Sequence, residues 1–183
     1  MKINISEILG KRTLIVGDVG KGKTRVTAEI VTQLISMGYE REITIIDMAP
    51  KRIGSIGGRI ADYVKLLNTI KYLYSDKIIP PRTMGKNKNE VLRYAQNNRM
   101  VIHDMLQSYL NEPTRILIIN DITLYFHAGS LEDILLCVRK AETFLANGYY
   151  GTYFSDDKSS GISTREKRLM EELMEKMDKI YYL

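Results

Sequence analysis

Residues 116–119 read Ile-Leu-Ile-Ile and run straight into Asn120 and Asp121. Four consecutive branched aliphatic residues leave neither face of an extended segment polar, so a strand made of them must be covered on both sides. Thr13-Leu14-Ile15-Val16 and Ile43-Thr44-Ile45-Ile46-Asp47 repeat the pattern. Between such runs the hydrophobic period lengthens. Val26, Ile30 and Leu34 recur every four positions, with Gly38 placed as a helix C-terminal cap. The same reasoning predicts a helix over 59–74 with Ile60, Val64, Leu67 and Ile70 on one face, and an exposed loop from Asp76 to Asn87. A further helix begins after Asn89, carries Val91, Ala95, Ile102, Met105 and Tyr109 inward, and is stopped by Pro113. Ser130 with Asp133 opens a helix expected to end near Gly148. A strand over 149–154, a helix capped by Ser163 and Glu166, and a closing strand over 180–183 complete the order.

Strands alternating with helices demand parallel pairing and right-handed crossovers. The expected fold class is α/β, a three-layer α/β/α sandwich around a mainly parallel five-stranded sheet. A chain of 183 residues with 44% hydrophobic content fits one domain over 1–183 with a full core. The single cysteine, Cys137, excludes a disulfide within the chain and suits a reducing compartment. No secretory apolar run and no stretch of bilayer-spanning length stands out, so the expectation is a soluble, cytoplasmic protein without a membrane partner. Charge is uneven: of a net +5, residues 51–100 contribute +8, from eleven Lys or Arg against three acids. This basic helical and loop segment, at about 51–112, can attract nucleic acid, a phosphorylated substrate or an acidic protein partner, although a solvated helix face has the same composition. Tyr63, Tyr72, Tyr74 and Tyr94 lie among these cations, where they can stack on bases or pack in the core.

The segment Gly17-Asp18-Val19-Gly20-Lys21-Gly22-Lys23-Thr24 fits G-x-x-x-x-G-K-[ST] at every fixed position, between an expected strand and an expected helix. Glycines at 17, 20 and 22 let successive backbone N–H groups turn toward one point, and the helix N-terminus adds partial positive charge. This stretch resembles the Walker A motif of P-loop nucleoside triphosphatases, and Asp121, ending its aliphatic strand, is similar to the Walker B aspartate. The resemblance implies the P-loop NTPase fold, leaning to RecA-like ATPases, with ATP and Mg2+ as cofactors. It implies a nucleotide held by Gly17 to Thr24 with Arg25 following, Lys23 on the β- and γ-phosphates, and magnesium on Thr24 and Asp121.

Beyond these positions the pattern departs. Many such ATPases carry glutamate directly after the Walker B aspartate; here that position is Ile122. Asp47, or Asn120 with a nearby acid, stands in as the candidate for activating water, or hydrolysis is slow and partner-dependent; Ser155 with Asp156 falls where RecA-like ATPases place a polar γ-phosphate sensor, or forms a plain turn. Arg165 and Arg168 are candidate arginine fingers in cis or across a homo-oligomer boundary, or solvated helix arginines. His103 and His127 have no spacing that suggests a metal site or a relay and read as structural. Three functions compete. An ATPase coupled to nucleic acid or self-assembly requires the 149–154 strand to stand between the strand before Gly17 and the strand before Asp121. A nucleotide-kinase-like phosphotransferase, with Asp47, Lys51 and Arg52 receiving the acceptor, requires those two strands side by side. A non-hydrolysing ATP-dependent binding module fits the missing glutamate. ATP is preferred over GTP because no guanine-reading Asn-Lys-x-Asp stretch is present.

Overall fold

A computed structural model of the chain describes residues 3–52, 58–65 and 68–183. Its framework is a six-stranded sheet in which every pair is parallel. The strands are β1 (Arg12–Gly17), β2 (Ile43–Asp47), β3 (Lys71–Tyr74), β4 (Ile116–Asn120), β5 (Thr143–Tyr149) and β6 (Lys179–Tyr182), in the spatial order β3-β2-β4-β5-β1-β6. The helices are α1 (Lys23–Ser36), α2 (Pro81–Met84), α3 (Lys88–Asn111), α4 (Thr123–Phe126), α5 (Leu131–Lys140) and α6 (Ile162–Met174).

Alternation along the strands builds two cores, one on each face. Leu14, Val16, Ile46, Leu117, Ile119 and Phe144 point to the side covered by α3, α4, α5 and α6. Ile15, Ile43, Ile45, Ile118 and Leu145 point to the other, covered by α1 and by the turns at Ile5, Ile8 and Ile60. Helices therefore cover both faces, and the sheet has one strand more than the five expected.

The extra strand comes from the expected helix over 59–74. Among the described residues that stretch holds a 3-10 turn at Ile60–Asp62 and the edge strand β3; Leu67 lies outside them. The Asp47 carboxylate accounts for the switch, because it accepts the N–H of Ile60 at 2.7 Å and the hydroxyl of Tyr72 at 2.8 Å. One buried acceptor thus fixes a turn and a strand where apolar spacing alone suggested helix.

The second correction concerns residues 141–154. Helix α5 starts where expected, with the Ser130 hydroxyl oxygen accepting the N–H of Asp133 at 3.2 Å. It stops at Lys140 rather than near Gly148, because Ala141 is already extended (φ −88, ψ 140). Thr143 to Tyr149 then form β5, six residues upstream of the expected strand, and 150–154 is turn. The strand is narrow as well as buried: a Cβ added at Gly148 would lie 3.0 Å from Ile122 Cγ2 and 3.1 Å from Met170 Cε.

A third correction is the loop from Asp76 to Asn87, which carries α2 and is partly buried. Asn98 of α3 accepts the N–H of Ile79 at 3.0 Å and donates to its carbonyl at 2.7 Å, pinning the segment. The fourth concerns α6, which is capped by Gly161 (φ 81) with Asp157 accepting the N–H of Ser163 at 3.0 Å. Glu166 makes no capping box; its carboxylate turns inward.

In hydrogen exchange the amides of 144–150 should be strongly protected, and protection should fall off over 151–154, beyond the last ladder bond from Tyr150 to the Gly17 carbonyl. Phe144→Ala should cost about 3–5 kcal/mol in denaturant unfolding with an unchanged slope, the range for emptying a well-packed aromatic site. Protection centred on 150–154 would contradict this strand assignment.

Candidate functional site

The carboxyl ends of β1, β4 and β5 open into a cavity of about 360 Å³. In a parallel sheet these ends are where loops diverge and ligands find room. The cavity floor is the loop that leaves β1 at Gly17 and enters α1 at Lys23. Gly20 (φ 76) and Gly22 (φ 83) lie in the left-handed region, where any other residue is strained. Among the described residues no side chain caps α1 or accepts its first-turn N–H groups. Val19, Gly20, Gly22, Lys23, Thr24 and Arg25 all line the cavity.

Lys23 curls back over this loop, its ammonium donating to the carbonyls of Gly17 at 2.9 Å and Asp18 at 2.7 Å. Burial lowers its pKa, partly offset by the charges of Asp121 and Asp18. Asp18 itself faces away from the cavity. Its carboxylate accepts the N–H of Val19 at 2.7 Å, of Thr152 at 3.1 Å and of Tyr153 at 3.4 Å, which ties the loop to the turn after β5. Gly151 is required at that junction, because a Cβ there would lie 2.5 Å from Asp18 Cγ.

Asp121 also lines the cavity, in a left-handed conformation (φ 58), unusual for a residue with a side chain and costing on the order of 1 kcal/mol. Three contacts hold it: its N–H donates to Asn147 Oδ1 at 3.0 Å, the next N–H to the Asn147 carbonyl at 2.9 Å, and Thr123 donates to its Oδ1 at 2.8 Å. Burial raises the pKa of its carboxyl, against the lowering effects of Thr123 and Lys23.

Asn147 is a site residue that the sequence did not disclose. It is buried in β5, lines the cavity, and donates to Thr27 Oγ1 and Asn120 Oδ1, both at 2.8 Å. Asn120 in turn donates to Asp47 Oδ1 at 2.7 Å. A rail of hydrogen-bonded polar groups therefore crosses the strand ends from α1 through β5, β4 and β2 to Tyr72 of β3. Asp47, a candidate for activating water, sits within this rail away from the cavity. Its Oδ1 accepts from Ala49 and Asn120 and its Oδ2 from Ile60 and Tyr72, which fills its acceptor capacity. Burial raises its pKa, opposed by those donors. Ser155, the candidate sensor, is exposed and lies off the cavity wall.

Arg165 donates to the Gly129 carbonyl at 2.6 Å, and the exposed Arg168 pairs with Glu172. Arg82, from α2, does line the cavity, together with Arg25 and Arg52. Its guanidinium forks onto Glu166 at 2.9 and 2.8 Å, and His127 Nε2 approaches the same carboxylate at 2.7 Å. The three side chains are only 5%, 3% and 1% exposed. Burial would raise the Glu166 pKa, but His127 and then Arg82 outweigh it and hold the carboxyl below its ordinary range. His127 thus has the partner that its isolation in sequence concealed; His103 approaches only Tyr125, at 3.3 Å.

The basic middle is less free than its composition suggests. Lys51, Arg59, Lys71 and Arg82 of its eleven cations have acidic partners within 3.1 Å. Tyr72 stacks on Tyr74, and Arg52 lies over Tyr63 at 5.8 Å beside the cavity mouth. Residues 53–57, which include most of the glycine-rich stretch after β2, lie outside the described residues. Among the described residues no group of three or more His, Cys, Asp or Glu is placed to hold a metal ion, and no helix is long and apolar enough to cross a membrane.

Asn147→Ala should strand the Asp121 N–H, Asn120 Oδ1 and Thr27 hydroxyl together. The expected cost is about 2–4 kcal/mol in urea unfolding, well beyond a surface change. A loss under about 0.5 kcal/mol would mean that the rail carries little of the fold. A scan against models of known protein families finds no match to this chain, and a comparison with curated proteins finds none either.

Proposed function

We propose that this chain is an ATP-binding P-loop NTPase that hydrolyses ATP with Mg2+ and couples its nucleotide state to a partner, nucleic acid or a second copy of itself. The observation that carries the reading is the conjunction, in the lining of one cavity, of a helix N-terminus without a side-chain cap among the described residues, two left-handed glycines, a lysine and a carboxylate. A polyphosphate needs this combination: preorganised N–H donors, one mobile cation, and a metal ligand. The donor set also suits magnesium, which takes oxygen ligands, few of them from protein; Thr24 and Asp121 would hold it beside phosphate oxygens and waters. When bound, the ion would draw charge from the phosphate oxygens.

Strand order supports the RecA-like form of this reading. β5 stands between β1 and β4, as the ATPase reading requires, whereas the phosphotransferase reading requires β1 and β4 to be neighbours. Asn147, near the end of that intervening strand, takes the polar sensor position first expected at Ser155. Among the described residues Asp121 is the only acid on the cavity wall. With no second carboxylate there to take a proton from water, basal turnover is slow and a partner raises it.

Calorimetry should detect magnesium-dependent ATP binding that Lys23→Ala weakens by about 10–100-fold, the worth of one charge-assisted contact. Phosphate release should be slow for the chain alone and rise with single- or double-stranded nucleic acid or with protein concentration. A folded protein with no affinity for any nucleotide would end this reading, and γ-phosphate transfer to a nucleoside monophosphate would replace it with the phosphotransferase.

A further inference from the structure

Beside the first cavity lies a second of about 360 Å³, and Arg82, Tyr149 and Phe154 line both. Arg82 is thus part of the wall between them. Its surroundings fix it from every side. Glu166 takes one hydrogen from each terminal nitrogen, and Ser163 Oγ accepts a second from Nη1 at 3.2 Å. The ring of Phe154 lies 4.4 Å from the guanidinium carbon and that of Tyr149 lies 5.3 Å away. Glu166 and Ser163 belong to the lining of the second cavity, so the anchored side of the fork faces that way. A guanidinium has five N–H donors. The contacts with Glu166 and Ser163 use three, so among the described residues Nε–H and one Nη2 hydrogen have no partner on a side chain that also lines the first cavity.

A buried ion pair seldom adds stability over apolar packing of the same volume. Three buried ionisable groups from three separated elements, next to a phosphate-binding candidate, instead point to an electrostatic task. Held by a carboxylate, a hydroxyl and two rings, the guanidinium loses no further rotamer freedom when an anion arrives, and that preorganisation favours binding.

We infer that Arg82 is the specificity-determining contact for the outermost phosphate of the nucleotide, reaching it from the cavity wall, and that Glu166 and His127 are positioning residues that aim it. The inference rests on the nucleotide-binding reading and adds to it the discrimination of triphosphate from diphosphate within a single chain. Lys23 and the loop amides hold whatever polyphosphate enters, and Arg82 adds an interaction that only the longer one reaches.

The test is calorimetric titration of the full chain with Mg-ATP and Mg-ADP, for the wild type, Arg82→Ala, Arg82→Lys and Glu166→Gln. The wild type should bind ATP more tightly than ADP. Arg82→Ala should lose about tenfold or more of the ATP-to-ADP affinity ratio, one charge-assisted hydrogen bond, with ADP affinity within about twofold of wild type. Glu166→Gln keeps the guanidinium and loosens its anchor, so the ratio should fall part of the way. Should Arg82→Ala fail to fold, Arg82→Lys decides, because it keeps the charge and loses the fork; its ratio should also drop. A purely structural staple would lower the melting temperature and leave the ratio at the wild-type value. An unchanged ratio in folded Arg82 variants, or a wild type that binds both nucleotides equally, would overturn the inference while the nucleotide reading stands. A wild type that binds neither would overturn both.

Discussion

The rail of polar side chains across the strand ends is the constraint on which the rest of this molecule depends. Thr27, Asn147, Asn120, Asp47 and Tyr72 come from five different elements, and each satisfies its neighbour's donor or acceptor. Hydrophobic burial can hold helices against a sheet without specifying how far each strand advances, because dispersion is non-directional. Hydrogen bonds between buried amides and a carboxylate have direction, and a missed partner costs the full desolvation of the group left behind. The rail therefore sets where β5 stops relative to β4 and α1. That register brings Asp121 into one cavity with the glycine loop.

What the rail aligns, the loops then strain. Asp121 occupies a left-handed conformation, and the glycine loop relies on two glycines in the same region. Both stretches are held from outside, Asp121 by Asn147 and Thr123, the loop by Asp18 and the turn at Thr152 and Tyr153. The cavity walls are consequently positioned by buried and backbone contacts.

The parts of this arrangement that were legible in the sequence are those written locally. β1, β2 and β4 announced themselves as branched aliphatic runs, and the glycine loop as a fixed spacing, because each signal fits within a few residues. β5 did not, since Ala146, Asn147 and Gly148 are not strand formers by composition. They are there because Gly148 fills a gap with no room for a side chain and Asn147 serves partners at 27, 120 and 121. β3 was hidden in the same way by its dependence on Asp47. The Arg82–Glu166–His127 cluster joins positions separated by 84 and 39 residues, so no window along the chain contains it. The pattern is physical: burial period and backbone conformation are properties of a segment, whereas a polar partner is a property of the folded whole.

The posture of Lys23 has one further consequence. Its ammonium already rests on two carbonyl oxygens of its own loop, so two of its three donors are in use and the charge is not bare. An anion settling there would make an exchange, competing with Gly17 and Asp18 around the same nitrogen. Departure runs the exchange backward, with the carbonyls ready to receive the lysine as the ligand lets go. A pocket of this kind would release an anion without leaving its cation unaccompanied in a poorly hydrated space.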